Sequence, residues 1–367
     1  MLNKLKDLAN NINGDLFTDL KTRLLYATDA SAYREIPLAV VRPKDKSDLI
    51  KLVAFANQYR TSLIPRTAGT SLAGQVVGNG IVVDISKYFT KIIELNTQER
   101  WVRVQPGVIL DELNMFLEPY GLFFGPETST SNRCMIGGMV GNNACGSHSI
   151  IYGTTRHHTL STKVILSDGK EIEFKPLNTN EFKNKLKGNS LENKIYQHIY
   201  NSLSDKAIQQ EINKEYPDKS IYRRNTGYAI DVLLESEPFL NADVPFNFTN
   251  MICGSEGTLG IITEIKLNLV DLPPKEVAVV AAHFKTKEEA FKANLVALKH
   301  HPGAVEMMDD TILNLTRDNR DQQKNRYFVK GTPEAILIIE FARHTSDEVE
   351  EICYQLINSL KDAGYGY

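Results

Sequence analysis

The pattern of hydrophobic and polar positions near the start of the chain predicts one amphipathic helix between short strands. Within residues 47–60 the apolar positions are Leu49, Ile50, Leu52, Val53 and Ala56. This spacing predicts a helix with one buried face, and Ser47 is its expected N-cap. Apolar runs around it predict strands at residues 38–41, 63–64, 81–85 and 91–95. The order β-α-β-β predicts a small α/β lobe over residues 36–97, after a lead-in at residues 1–35.

A second, larger lobe is predicted over residues 98–272. Its expected strands are residues 101–105, 163–166 and 171–174, and its expected helices are residues 108–117 and most of residues 182–210. Asp168 and Gly169 separate the last two strands, which predicts a hairpin. Residues 235–250 follow no period and contain Pro238 and Pro245, so we expect a loop insertion there.

Pro273 and Pro274 mark a boundary to a third region, residues 273–367. Strands are predicted at residues 277–284, 304–308 and 335–341, and helices at residues 287–298 and 347–360. This alternation is typical of the start of a ferredoxin-like domain. Because such a domain needs a further strand, we expect it to be incomplete and the chain to be an N-terminal fragment of a longer protein.

Composition excludes several classes of protein. The chain has 367 residues, of which 42% are hydrophobic, and a net charge of −3, so nothing indicates a nucleic-acid partner. Its four cysteines form no Cys-x-x-Cys pair, which argues against a zinc or iron–sulfur site within the chain. We expect no transmembrane segment, since no apolar run is long enough. A cytoplasmic protein is the simplest interpretation, and peripheral association with the inner face of a membrane stays open.

The loop at residues 64–75 carries the first candidate for binding chemistry. Its tip consists of small residues from Thr67 to Ser71, so the backbone can approach a ligand closely and its N–H groups can surround an anion. The loop lacks the Gly-Lys-Ser/Thr ending of a P-loop and the Gly-x-Gly-x-x-Gly of a Rossmann fold. On its own it is explained equally well as a surface turn.

Three further motifs favour a ligand-binding loop over a surface turn. Residues 125–146 read GPETSTSNRCMIGGMVGNNACG, residues 223–228 read RRNTGY, and residues 254–263 read GSEGTLGIIT. In this order, the four segments resemble the FAD-linked oxidase family, which includes D-lactate, glycolate and D-2-hydroxyglutarate dehydrogenases and is related to vanillyl-alcohol oxidase. The similarity is greatest to large bacterial members with a C-terminal iron–sulfur region. The lead-in motif at residues 26–29 fits that subgroup.

The resemblance implies an α+β fold, in which a two-lobed FAD-binding domain of the vanillyl-alcohol oxidase type precedes the start of a cap domain. It also implies which residues contact FAD. These are Arg66, Thr67, Ala68, Gly69, Thr70, Ser71, Gly74, Gln75, Pro126, Glu127, Thr128, Ile136, Gly137, Gly138, Asn142, Asn143, Ala144, Gly146, Glu256, Gly257, Gly260, Ile261 and Ile262. Asn225 and Tyr228 are weaker candidates for contact with the substrate. Because the loop at residues 66–75 has no histidine, we expect noncovalent binding.

Several of these residues have a plainer interpretation. Arg66 is more typical of a solvent-exposed charge than of a contact with cofactor or substrate. Tyr228 is equally compatible with a packed core tyrosine. Cys145 is more typical of a small buried filler than of a reactive thiol. Glu256 is expected to be a buried, hydrogen-bonded carboxylate. Glycines at positions 137 and 138 are expected to let the backbone lie against the flavin without a Cβ clash.

The motifs that carry the resemblance do not include a complete active site. Relatives carry a His-x-Gly-Asp-Gly-Asn-x-His segment that supplies the base and, in some, a metal ligand, and no segment after Pro273 matches it. We therefore assign no catalytic residue and no metal, and expect any iron–sulfur cluster only in a missing C-terminal region. The expected function is oxidation of a D-2-hydroxy acid by hydride transfer to FAD, with an unidentified electron acceptor. A non-catalytic flavin-binding subunit, or a sugar or alcohol oxidase, stays as an alternative.

Overall fold

The computed structural model describes residues 1–221, 223–225, 227–240 and 243–367. The strands are β1 (Asp15–Phe17), β2 (Ala39–Arg42), β3 (Leu63–Arg66), β4 (Ile81–Asp84), β5 (Ile92–Asn96), β6 (Trp101–Val104), β7 (Leu122–Phe123), β8 (Thr159–Ile165), β9 (Glu171–Phe174), β10 (Ile261–Asn268), β11 (Val270–Asp271), β12 (Glu276–Phe284), β13 (Ala304–Asp309) and β14 (Ala335–Arg343). The helices are α1 (Leu2–Ala9), α2 (Leu20–Leu25), α3 (Lys46–Tyr59), α4 (Leu110–Leu117), α5 (Ile136–Asn142), α6 (Ser149–Tyr152), α7 (Thr155–His158), α8 (Thr179–Lys185), α9 (Leu191–Ser204), α10 (Lys206–Glu215), α11 (Ile230–Leu234), α12 (Thr249–Ile252), α13 (Lys287–Ala297), α14 (Asp310–Arg317), α15 (Arg320–Gln323) and α16 (Ser346–Asp362). Thr226, which belongs to the third motif, lies outside the described residues.

These elements form two compact units. Unit 1 comprises Met1–Gly146 and Thr154–Asp271, and unit 2 comprises Ser147–Gly153 and Leu272–Tyr367. The chain therefore leaves unit 1 for seven residues directly after the second motif. Each unit has its own hydrophobic core. In the described part of the chain, no helix is both long and apolar enough to cross a membrane.

The first sheet of unit 1 has the order β1-β2-β4-β3, with β2 and β3 both parallel to β4. Strand β1 comes from the predicted lead-in and pairs antiparallel with β2, so residues 1–35 contribute to this lobe. Helix α3 packs its apolar face against the sheet. Its N-cap is Asp45, whose carboxylate accepts from the backbone N–H of Asp48, and the prediction of Ser47 as N-cap is wrong. An aspartate two residues earlier offers the same capping chemistry.

The second sheet of unit 1 is antiparallel, with the order β5-β6-β10-β8-β9. Strand β5 belongs to this sheet, whereas the sequence placed it in the first lobe. The pattern within a strand shows which face is buried but not which sheet it joins. The region predicted to be largely helical over residues 182–210 contains three helices, because new N-caps occur at Ser190 and Asp205. Phe182 contacts Phe246 at 4.6 Å between ring centroids in the core beneath these helices.

Unit 2 has a three-stranded antiparallel sheet of order β12-β14-β13. Its β-α-β-β-α order of β12, α13, β13, β14 and α16 follows the predicted ferredoxin-like pattern. Alternate residues of the strands pack against α13 and α16, which contribute Ala293 and Leu356 to the core. From the short segment Ser147–Gly153, His148 contributes an imidazole nitrogen that lies 2.7 Å from a carboxylate oxygen of Glu340 on β14.

Candidate functional site

Unit 1 contains a cavity of about 780 Å³ whose wall is built from all four motifs. The first motif supplies the loop after β3, the second the Gly-rich helix α5, and the fourth the turn leading into β10. The predicted site residues that line it are Arg66, Thr67, Ala68, Gly69, Thr70, Ser71, Gln75, Thr128, Gly137, Gly138, Asn142, Ala144, Asn225, Glu256, Gly257, Gly260, Ile261 and Ile262. Segments as far apart as residues 66 and 262 therefore meet at one cavity.

Seven predicted residues are not part of the described cavity wall. These are Gly74, Pro126, Glu127, Ile136, Asn143, Gly146 and Tyr228. Asn143 is fully buried behind the wall, and its amide donates to Oδ1 of Asn225 at 3.2 Å. Tyr228 is 39% exposed, and its hydroxyl pairs with Thr258 Oγ1 at 2.7 Å, so the interpretation as a packed core tyrosine is wrong.

Arg66 is held at the entrance of the first loop by backbone carbonyls. Its guanidinium donates to the carbonyl of Thr28 at 2.8 Å and lies 5.2 Å from the centre of the Tyr26 ring. It is half-buried rather than solvent-exposed, and burial lowers the pKa of Arg66. In the described part of the chain it forms no ion pair with a carboxylate. The loop therefore presents a cation whose charge a bound anion can neutralise.

Helix α5 meets the cavity with its glycine-rich face. A Cβ atom on Gly137 would lie 2.4 Å from Pro106 Cβ, so this glycine is required by contact with the protein itself. Packing against Pro106 is thus one reason for a glycine here, and the expectation that Gly137 lets the backbone lie against a flavin stays a prediction. At Gly141 the nearest atom to an added Cβ, the Cα of Glu256, is 4.0 Å away, although Gly141 also lines the cavity. Gly141 is therefore the glycine at which a side chain would enter open space.

The fourth motif completes the cavity wall through contacts of its main chain. Glu256 has a left-handed conformation, with φ of 52°, and its N–H donates to the carbonyl of Gly141 at 2.9 Å. The prediction that Glu256 is a buried carboxylate is wrong, because the residue is exposed. Gly257, with φ of 77°, packs against Pro65. The turn thus joins the first and second motifs by main-chain contacts.

Cys145 lines the cavity and is only partly buried, so the interpretation as a buried filler does not hold. Its sulfur lies 3.5 Å from the amide nitrogen of Asn225, which lines the same wall. The third motif therefore meets the second at this point, and a thiol and a carboxamide are exposed to the same ligand space.

The lead-in supplies a part of the wall that the sequence did not identify. Leu25, Thr28, Asp29 and Ala30 all line the cavity. Asp29 Oδ1 accepts from the N–H of Ser31 at 2.8 Å, whereas Oδ2 is buried and has no partner within the described residues. The motif at residues 26–29 is a feature of the family that the sequence resembles, and its aspartate is the available sequence signal. A carboxylate oxygen in this position calls for a donor such as a sugar hydroxyl.

No group of three or more His, Cys, Asp or Glu side chains suited to a metal is found among the described residues. Two of the histidines after Pro273 have structural partners. His283 is 5% exposed, pairs through Nδ1 with the carbonyl of Ala281, and accepts the N–H of Lys330 through Nε2. His300 Nε2 lies 3.0 Å from the hydroxyl of Ser359.

Two segments of the chain match known protein families. Residues 37–175 match the family described as the FAD binding domain, and residues 273–366 match the C-terminal domain of FAD linked oxidases. The second match does not bear out the expectation of an N-terminal fragment with only the start of a cap domain. The chain is 34% identical over 361 residues to the D-2-hydroxyglutarate dehydrogenase of Haemophilus influenzae, with 95% of this chain and 34% of that protein covered. It is 28% identical to glycolate oxidase subunit GlcD of Escherichia coli, with 91% and 54% covered.

The chain thus spans about a third of the length of the D-2-hydroxyglutarate dehydrogenases that it matches. Among solved structures, an alkyldihydroxyacetonephosphate synthase has a similar fold, with a TM-score of 0.65 and 17% identity over all of this chain and 64% of that one. The fold, the order of the motifs and the two domain matches agree, and this chain belongs to the FAD-linked oxidase family.

Proposed function

We propose that unit 1 binds FAD noncovalently in the cavity and that the chain forms the flavin-binding part of an enzyme that oxidises a D-2-hydroxy acid. The observation that carries this proposal is the meeting of four separate motifs at one cavity of about 780 Å³. Cofactor and small-molecule sites have volumes of about 300–1,000 Å³. When bound, FAD supplies an acceptor for the hydride of the substrate.

The first loop is our candidate for the pyrophosphate contact. Arg66 brings a cation that forms no ion pair with a carboxylate of the described residues, and Thr70 and Ser71 add hydroxyl donors at the same wall. The loop backbone provides further N–H groups. Asp29, with its buried unpaired oxygen, is suited to a hydroxyl of the ribose or ribityl chain. Donors and an acceptor are thus arranged for a ligand that carries both phosphate and sugar groups.

Noncovalent attachment is supported by the chemistry of the cavity wall. No histidine occurs among its described residues. Cys134, which also lines it, is buried beside Thr128, and burial raises the pKa of its thiol. A raised pKa lowers the fraction of thiolate and hence nucleophilicity.

The substrate class rests on the names of the relatives, which are D-2-hydroxyglutarate dehydrogenases and a glycolate oxidase subunit. Asn225 is our candidate for contact with the substrate, since it lines the cavity and Tyr228 does not. The electron acceptor and the catalytic base have no assignment. Because no base is assigned, we expect only slow reduction of the flavin by this chain alone, since a general base contributes about 10²–10⁴-fold.

The test has two stages. Purified chain is saturated with FAD and then precipitated with acid, and we expect the yellow colour to stay in solution. Colour in the pellet would contradict noncovalent binding, and folded protein that takes up no flavin would contradict the proposed site. The loaded chain is then mixed anaerobically with D-2-hydroxyglutarate, D-lactate or glycolate. Bleaching of the flavin by any of them at a saturable rate supports the substrate class, and bleaching only by sugars or alcohols would replace it.

A further inference from the structure

A second, smaller cavity of about 240 Å³ lies in unit 1 outside the wall of the flavin cavity. The residues that matter for its chemistry are Arg156, His157, Arg224 and Asn250, all of which line it. The volume is too small for a nucleotide. A water molecule takes about 30 Å³ in the liquid, so the cavity has room for a small ion with its hydrating water.

Arg156 brings an uncompensated charge to this cavity. It is 8% exposed, and among the described residues its side chain donates only to two backbone carbonyls, that of Asn250 at 3.0 Å and that of Cys253 at 2.7 Å. In the described part of the chain it forms no ion pair. A buried guanidinium is costly unless it is neutralised, and two carbonyl dipoles compensate it only in part.

Arg224 adds a second guanidinium, which forms an ion pair with Asp231. Asp231 is not among the described residues that line the cavity. Two guanidinium groups against one carboxylate leave a single positive charge at the cavity. The positive charges near the cavity also affect the protonation of His157. Burial, and then the charges of Arg156, His158 and Arg224, lower the pKa of His157.

We propose that this cavity binds one small oxyanion, a carboxylate or phosphate group, between Arg156 and Arg224. The planar fork of a guanidinium matches two oxygens of either group. A single negative charge balances the single excess cation. The amide of Asn250 lines the same cavity and can donate to a third oxygen.

The site is joined to the flavin cavity by one side chain. Asn143 accepts the backbone N–H of Arg156 at 2.9 Å, and its amide donates to the carbonyl of Arg224 and to Oδ1 of Asn225. Asn225 lines the flavin cavity. An anion that draws the two arginines together therefore acts on Asn143 and, through it, on Asn225. The proposed anion site itself does not depend on the proposed flavin function.

The imidazole of His157 reports on the site. Its Nδ1 accepts the N–H of Thr154 at 3.0 Å, so the neutral ring carries its proton on Nε2. An anion beside Arg156 and Arg224 weakens the positive field, and the pKa of His157 must rise. The experiment follows this pKa by NMR in the full chain, with FAD present at saturation, while acetate or inorganic phosphate is added at constant ionic strength.

We expect the pKa of His157 to rise saturably with at least one of the two anions. Saturation with acetate alone assigns a carboxylate site, and saturation with phosphate alone assigns a phosphate site. If neither anion shifts the pKa saturably, the proposal is overturned. If the chain takes up no FAD, the same titration is done without it, so failure of the flavin proposal is seen separately.

Two variants locate the bound anion. Val232 lines the cavity, so Val232→Phe fills it without removing a cation, and Val232→Ala is the matched control that leaves it open. We expect Val232→Phe to abolish the response and Val232→Ala to retain it. Arg224→Gln should weaken binding about tenfold or more, as expected for a charge-assisted hydrogen bond. An unchanged response in folded Val232→Phe and Arg224→Gln would place the anion elsewhere and refute the proposal.

Discussion

Gly137 lies so close to Pro106 that a Cβ atom added to the glycine would be 2.4 Å from the Cβ atom of the proline. The backbone N–H of Gly137 also donates to the carbonyl of Pro106 at 2.8 Å, which fixes helix α5 against the turn after β6. The small residue at this position serves the packing of the protein, whereas Gly141 on the same helix leaves open space at the cavity wall.

The two glycines therefore predict different outcomes. Gly137→Ala should destabilise the fold by about 1–3 kcal/mol, the usual cost of overpacking. Gly141→Phe should leave unfolding of the flavin-free protein nearly unchanged but abolish uptake of FAD, because its ring enters the cavity. Urea unfolding without flavin and FAD titration measure the two effects. Normal stability of Gly137→Ala, or normal FAD affinity of Gly141→Phe, would show that the helix is placed differently.

Arg66 is predicted to recognise the phosphate part of the cofactor. Arg66→Gln should weaken FAD binding by about 1.5–3 kcal/mol, which corresponds to roughly tenfold to a hundredfold in the dissociation constant. Riboflavin has no phosphate, so its weaker binding should be the same in wild type and variant. Arg60→Gln removes an exposed cation outside the described cavity wall and serves as the control. Equal losses for FAD and riboflavin would mean that Arg66 has a structural role alone.

The N-cap of α3 gives a test in the first lobe. Asp45→Ala should destabilise the protein by about 1 kcal/mol, and Ser47→Ala should have little effect. Hydrogen bonds from the side chain of Asn13 and the backbone N–H of Asp48 lower the pKa of Asp45. Its stabilisation is therefore present above the ordinary pKa of 3.8 and is lost as the pH falls through the lower folded value. Urea unfolding at pH 7 and pH 3 measures both effects, and a larger loss for Ser47→Ala would contradict the observed cap.

The sequence allowed a strand or helix to be predicted where the hydrophobic pattern of that segment alone determines its structure. The bounds of β14 and α16 were predicted within a few residues, whereas α14, α15 and the part of unit 2 formed by Ser147–Gly153 were not predicted. Contacts between segments that lie far apart in the sequence could not be predicted from such local patterns. Strand β5 pairs with β6 in the second sheet, and Glu256 is exposed because its backbone, not its carboxylate, makes the contact with Gly141. Such pairings depend on long-range packing, which no window of a single sequence reports.

Asp29 is an example, within the site, of a residue whose position a local sequence pattern could not predict. Its motif was visible, but its place in the cavity wall depends on the lead-in meeting the first loop at Arg66 and Thr28. The family motifs already indicated Arg66 and the small residues of the first loop as candidate contacts. The buried, unpaired carboxylate oxygen of Asp29 is seen only in the folded chain.

The accessibility of the thiols gives the last prediction. Cys145 lines the flavin cavity and is partly buried, whereas Cys253 is fully buried and burial raises its pKa to about 11. At pH 8 a thiol with that pKa has a thiolate fraction of about 10⁻³, and thiolate is the reactive form. We expect iodoacetamide to alkylate Cys145 in the folded, flavin-free chain and FAD to slow this reaction. Mass spectrometry of the labelled peptides measures the rates.

Cys353 on α16 is the internal control for this experiment, since it is partly buried and belongs to unit 2. Its rate should not respond to FAD, because it does not line the flavin cavity in the described structure. Protection of Cys145 alone would place the cofactor beside the second and third motifs. Equal protection of Cys145 and Cys353 would point to general tightening of the fold, and rapid labelling of Cys253 would show that the core around it opens. An unprotected Cys145 in FAD-saturated protein would exclude this wall from the cofactor site.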